Sequence, residues 1–135
     1  MTKIWKNFIE YVTTRYSNAE KIVEVGVGNI YEPSRLLTQQ MPDTEVLTVD
    51  IKPTRTETIK DDITNPTRQI YEDANLIYSI RPPEELQPHI LRLAVNHHAD
   101  AMIKPFSSEE INPQIRRKMK MINYKKMVFY TYEGE

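Results

Sequence analysis

Apolar residues return at two different spacings along this chain, and the alternation between them sets the expected fold. Ile4, Trp5, Phe8, Ile9, Val12 and Tyr16 share one face at helical spacing, which predicts a helix over 2–16 with Thr2 as N-cap and Ser17-Asn18 as stop. A short β-branched run, Lys21–Val25, follows. Val23 and Val25 flank Glu24 there, the pattern of a central parallel strand covered on both sides. Pro33 suits the first turn of a helix running to about Met41, because the N–H it lacks has no partner there anyway. Pro42-Asp43 closes that helix. Further strands are predicted at Glu45–Asp50, 58–60, 74–80 and 99–104, with a short helix over 67–72. Arg81-Pro82-Pro83 ends the fourth strand, since proline cannot donate to a ladder and restricts the residue before it. The helix after it runs to about His98 and sets Leu86, Ile90, Leu93, Ala94 and His97 on one face, with Pro88 tolerable only near its start. Two strand-like pieces, 119–124 and Met127–Tyr132, form an antiparallel pair around Lys125-Lys126.

Strands and helices alternate at α/β lengths. The expected architecture is one domain over 1–135, a three-layer Rossmann-like α/β fold. Its mostly parallel sheet has helices on both faces and an antiparallel C-terminal hairpin at one edge. A sheet and its helices would use nearly all of the 135 residues, leaving no room for a substrate domain. A missing pocket wall would then come from a second copy or another subunit. Net charge is -1, which argues against the molecule as a whole being a polyanion binder. The absence of cysteine removes disulfides, thiolate metal ligands and a cysteine nucleophile, and fits a reducing compartment. No apolar run approaches the ~18 residues of a membrane span, and residues 1–10 hold no apolar leader segment. The chain is read as cytoplasmic, with no membrane partner.

The densest chemical signal is Ile-Val-Glu-Val-Gly-Val-Gly at 22–28, followed about 20 positions later by Asp50, which closes the second strand. Gly26 and Gly28 make a tight turn whose bare backbone admits a ligand; the plainer alternative is a strand-to-helix turn needing positive φ. Asn29 either caps the following helix, the plainer reading, or contacts the ligand. A dinucleotide fingerprint would place its third glycine at Tyr31, and a phosphate-binding Gly-Lys-Ser/Thr is absent, so NAD and nucleoside triphosphates fit poorly. Glu24, two residues before the first glycine, repels a pyrophosphate and attracts a cation.

Glu-x-Gly-x-Gly followed by a strand-ending acid resembles the first two motifs of the class I S-adenosylmethionine-dependent methyltransferases. The resemblance implies that Glu24 lies near the amino-acid end of the cofactor, that Gly26 and Gly28 shape its floor, and that Asp50 binds its ribose. It places Asp62 near the adenine amine. Ile30, at the third glycine position, departs from the pattern. Ser79, Arg81, Pro82 and Pro83 would line the acceptor side. Amino-group methyltransferases carry Asp/Asn-Pro-Pro-aromatic there, and this chain shares only the two prolines. Arg81 reads either as a bidentate site for a carboxylate or phosphate, or as a surface partner of Glu84 or Glu85. No general base stands out, so catalytic residues are left unassigned. His89, His97 and His98 lack metal-ligand spacing, and no metal is expected. Arg116, Arg117, Lys118, Lys120, Lys125 and Lys126 form a run free of acids: either a face for RNA or phosphate, or charge guarding an edge hairpin. Tyr130 and Tyr132 are read as packing. The chain is also similar, along nearly its whole length, to a family of small uncharacterised archaeal proteins with a methyltransferase-like fold. Residues 22–28, Asp50, 78–84 and the Tyr-rich tail carry that likeness. The expected function is binding of S-adenosylmethionine or a close nucleoside, with methyl transfer to an unidentified acceptor. The alternatives are a non-catalytic nucleoside-binding or regulatory module and an RNA-associated protein using the basic segment.

Overall fold

The computed structural model describes residues 5–107 and 110–134. Five α-helices occur among them: α1 (Lys6–Arg15), α2 (Glu32–Gln40), α3 (Arg68–Tyr71), α4 (Gln87–His97) and α5 (Pro113–Arg116). The strands are β1 (Lys21–Val25), β2 (Glu45–Asp50), β3 (Ile59–Lys60), β4 (Leu76–Ile80), β5 (Asp100–Lys104), β6 (Lys120–Tyr124) and β7 (Met127–Tyr132). They form one sheet in the order β3-β2-β1-β4-β5-β7-β6. β1 to β5 run parallel, and β7 is antiparallel to both of its neighbours. The chain builds outward from β1 to β3 and then returns to place β4 on the other side of β1. That reversal opens a crevice at the carboxyl ends of β1 and β4.

Alternation along the strands explains the three layers. Ile22, Leu76, Tyr78 and Met102 face α1 and α2, where Phe8, Ile9, Val12 and Leu37 cover them. Val23, Ile77, Ala101 and Ile103 face the opposite way, under Ile90, Leu93 and Ala94 of α4 and Ile115 of α5. β4 is buried at every position, as a central strand with helices on both faces must be. Each fully buried aliphatic side chain here stabilises the fold by about 1.5–3 kcal/mol. No helix among the described residues is long and apolar enough to cross a membrane.

Several boundaries differ from the sequence reading. Thr2 and Ile4 lie outside the described residues, and Trp5 stands at the N-cap of α1 without a side-chain cap bond. A 3-10 turn, Glu84–Leu86, precedes α4, so the helix expected directly after Pro83 begins at Gln87. The sequence reading assigned nothing to α5. Asn112 caps it by accepting from the Gln114 N–H at 2.8 Å, with Pro113 in its first turn. The fully buried Gln87 anchors this stretch, donating to the Glu110 carbonyl at 2.9 Å and accepting from the Asn112 N–H at 2.7 Å.

The hairpin turns at Lys125 and Lys126, with φ of 51° and 72°. Both central residues of this tight turn are left-handed, a backbone that suits Asn-Gly and strains lysine by roughly 1–2 kcal/mol per residue. Lys125 is held by its ammonium on the Glu10 carboxylate and by its carbonyl, which accepts from Asn7 Nδ2 at 3.1 Å. Lys126 has no such tie among the described contacts. Lys126→Gly is therefore expected to raise stability by about 0.5–1 kcal/mol, after the added unfolded-state entropy of glycine. A higher urea midpoint at unchanged slope is the expected record; a lower midpoint would contradict the turn geometry.

Candidate functional site

Gly26 follows β1 with φ +70°, and its N–H donates to the Val49 carbonyl at 2.8 Å, tying the turn to β2. Gly28 has φ +56°, and its N–H donates to Asp50 Oδ2 at 2.8 Å. A Cβ on Gly28 would meet nothing within 4 Å, so the left-handed backbone rather than crowding demands glycine there. The Lys52 N–H donates to the other oxygen, Asp50 Oδ1, at 2.9 Å. Each Asp50 oxygen thus takes one backbone amide and keeps acceptor capacity for a ligand.

A cavity of about 260 Å³ opens beside this turn. Ile51, Ile63, Pro83 and Leu86 form apolar walls, Gly26 and Val49 its floor, and Asp50, Asp61 and Asp62 its polar groups. No lysine or arginine among the described residues lines it. Ile51 is 55% exposed even though it directly follows a strand. The loop after β3 is fixed from below by buried Asp61. Its carboxylate accepts from the Thr67 N–H at 3.1 Å, from Thr67 Oγ1 at 2.8 Å and from the Tyr71 hydroxyl at 2.7 Å. Burial and that bond to Asp61 push the Tyr71 phenol up. Asp62 is exposed and accepts from the Thr64 hydroxyl and N–H at 2.7 and 2.9 Å, which hold its carboxyl below the usual range. Both bonds fall on Oδ1, so Oδ2 remains for a ligand.

Glu24, on β1 two residues before the turn, is 1% exposed and accepts from the Tyr78 hydroxyl at 2.7 Å. Burial pushes its carboxyl up to about 8, against the opposing pull of the Tyr78 bond. Tyr78 is pushed up in turn by burial and by Glu24. Ser79 is also buried, and its hydroxyl donates to the Val25 carbonyl at 2.7 Å, satisfying the end of β1.

Arg81 takes a left-handed backbone, φ 55°, and its N–H donates to the Lys104 carbonyl at 2.6 Å. Its guanidinium carbon lies 5.0 Å from the ring centre of Phe106 and 5.8 Å from that of Trp5. It forms no ion pair with Glu84 or Glu85. Of the residues singled out from sequence, the cavity gathers Gly26, Asp50, Asp62 and Pro83, and Gly28 joins through its amide on Asp50. Ser79 supports the turn from below, and Glu24 is buried against Tyr78 outside the cavity lining. Arg81 and Pro82 stand outside the cavity. The walls Ile51, Ile63 and Leu86 were missed as site residues. The available signal is Ile51, an apolar residue directly after a strand-closing acid; Leu86 reads from sequence only as part of the apolar face of the helix after Pro83.

Tyr31 stands at the N-cap of α2, its hydroxyl 2.8 Å from Thr54 Oγ1 and the Arg55 guanidinium 4.1 Å above its ring. The three histidines go separate ways: His97 packs on Tyr71, His98 takes the left-handed helix end, and His89 meets Arg92. Among the described residues no group of three His, Asp or Glu could hold a metal ion. The basic run divides between the two ends of the hairpin. Arg116, Arg117, Lys118 and Lys120 stand at the start of β6, and Lys125 and Lys126 lie roughly 15 Å along it at the turn.

The chain belongs to the uncharacterised protein family UPF0146, whose family model matches residues 5–134. A UPF0146 protein of Methanothermobacter thermautotrophicus is 38% identical over 132 residues, covering 98% of this chain and 97% of that protein. Among solved structures, the N-terminal domain of EvdMO1 with SAH bound superposes with a TM-score of 0.68 at 8% identity, over 100% of this chain and 83% of that one. An S-adenosyl-L-methionine methyl transfer enzyme from Silicibacter pomeroyi gives 0.59 at 12% identity, over 96% of this chain and 91% of that one. At these identities the structural likeness establishes the fold, a Rossmann-like sheet of the class I methyltransferase type.

Proposed function

We propose that the cavity beside Gly26 binds S-adenosylmethionine or a closely related nucleoside, and that the chain transfers its methyl group to an acceptor. The composition of the cavity carries this reading: apolar walls, three aspartates (one of them, Asp61, already committed to Thr67 and Tyr71) and no cation among the described residues. Such a lining covers the faces of a base and accepts hydrogen bonds from hydroxyls and an amine, while it repels phosphates. The two solved neighbours, one with SAH bound and one described as an S-adenosyl-L-methionine methyl transferase, support the choice of nucleoside. Asp50 would take the ribose hydroxyls through the acceptor capacity its backbone bonds leave, and Asp62 the exocyclic amine through Oδ2. Ile51 and Ile63 would hold the base. Glu24, protonated at neutral pH, would ionise as a cationic amino-acid end approaches the turn. When bound, the sulfonium supplies the transferable methyl, so the protein's part is to orient and to exclude water.

The test is calorimetric titration with S-adenosylhomocysteine, with NAD as the comparison ligand. Micromolar affinity, about -8 kcal/mol, is expected for the first, with NAD at least tenfold weaker. Equal or tighter NAD binding, or no nucleoside binding, contradicts the reading. A second reading, a nucleoside-binding module without turnover, draws on Ser79 and Glu24. Both are buried and hydrogen-bonded within the sheet, and neither is placed to take a proton from an acceptor. Tight nucleoside binding without transfer to any acceptor would favour that reading.

A further inference from the structure

We propose that Arg81 and Lys104 form an oxyanion subsite at the carboxyl ends of β4 and β5, and that the acceptor is a small molecule carrying a carboxylate or phosphate. The word acceptor rests on the nucleoside reading above; the anion subsite stands on its own geometry. The Arg81 N–H donates to the Lys104 carbonyl, which fixes the two residues side by side. The Lys104 ammonium donates to the Pro105 carbonyl at 3.2 Å, and neither cation meets a carboxylate among the described residues. Burial and the charge of Arg81 both hold the Lys104 ammonium below its usual range. Two like charges held together at a strand end without a counterion are relieved by an anion. Phe106 and Trp5 lie against the guanidinium, which preserves its donor fork for bidentate contact. Phe106 is 71% exposed and offers an apolar surface beside the fork for the body of the same ligand.

The subsite is placed for an acceptor. Arg81 is joined through Pro82 to Pro83, which lines the nucleoside cavity, and Ser79 just upstream holds the end of β1 next to Gly26. The surroundings favour a single anionic group over a polyanion. Asp50 and Asp62 lie on the cavity side, and exposed Glu84 and Glu85 follow the prolines, so an extended phosphate backbone would be repelled.

Trp5 is the sole tryptophan of the chain, and its fluorescence reports on ligands at Arg81. Benzoate and inorganic phosphate are titrated at constant ionic strength set by chloride. Saturable binding of at least one is expected, weakened tenfold or more in Arg81→Asn and in Lys104→Met, and unchanged in Arg35→Gln on α2. Asparagine tolerates the left-handed backbone, so Arg81→Asn keeps the turn; circular dichroism checks both variants. Failure to saturate, or equal affinity in the variants, overturns the subsite. An anion here has a second source, the carboxylate of the cofactor's own amino-acid end. S-adenosylhomocysteine and methylthioadenosine, which lacks that end, are therefore titrated calorimetrically into wild type and Arg81→Asn. Unchanged affinity for both supports an acceptor site. Selective loss of S-adenosylhomocysteine assigns Arg81 to the cofactor and overturns the acceptor claim. If wild type binds neither nucleoside yet saturates with an anion, the nucleoside reading fails and the subsite stands.

Discussion

Asp50→Ala is expected to weaken nucleoside binding by 100-fold or more while the sheet stays folded. The carboxylate does two jobs at once. It caps the Gly28 and Lys52 amides, and it turns its remaining acceptor capacity towards the cavity. Hydrogen bonds to a charged acceptor contribute about 1.5–3 kcal/mol each, and both ligand and loop lose theirs on truncation. Asp50 is half-exposed, so the two amides released by the substitution can turn to water. Global unfolding is therefore expected to change by only about 1–3 kcal/mol. Asp50→Asn keeps the shape but has one acceptor oxygen, so one of the two amides would face an NH2 group; it should fail nearly as badly. Calorimetry with S-adenosylhomocysteine and urea unfolding separate the two jobs. A folded Asp50→Ala protein with wild-type affinity would remove Asp50 from the ligand.

The second large effect is a dependence of stability on pH centred on Glu24. Its carboxyl ionises near 4.5 in the unfolded chain and is pushed up to about 8 in the folded one. Between those values the folded state holds a proton that the unfolded state has released. Raising the pH therefore favours unfolding: the contribution is fully present below about 4.5 and gone above about 8. At about 1.4 kcal/mol per pH unit, the loss across that window amounts to a few kcal/mol. Glu24→Gln cannot ionise and should remove this component. The readout is the difference between wild-type and Glu24→Gln unfolding free energies, measured by urea from pH 4.5 to 8.5. Taking the difference cancels the oppositely directed contribution of Asp62, whose carboxyl is held low and which is lost as pH falls. Parallel curves for the two proteins would mean that Glu24 ionises normally in the folded state.

What was legible in the sequence was what neighbouring residues determine together. The strand Lys21–Val25, the two glycines that need a left-handed backbone, Asp50 at the end of β2 and the hairpin all follow from local patterns, and all stand where expected. Contacts between distant segments were not legible. Tyr78 is the residue that keeps Glu24 satisfied, and the two meet because β1 and β4 pair in the register that sets them side by side. Nothing near Glu24 in sequence announces that partner. The cavity walls come from three separate places, the end of β2, the loop after β3 and the turn before α4, and each residue taken alone reads as ordinary. Arg81 likewise is defined by Trp5 and Phe106, each far from it in sequence and on opposite sides of it. α5 spans four residues, too short for any periodicity, although Asn112-Pro113 is a fair helix-start signal.

The position of β7 has a consequence for how the chain folds. β7 fills the place between β5 and β6, although both precede it in sequence. During folding, β1 to β5 can pair before β7 docks. During that interval the backbone of β5 along 101–103 is an open edge, ready to recruit another folding chain.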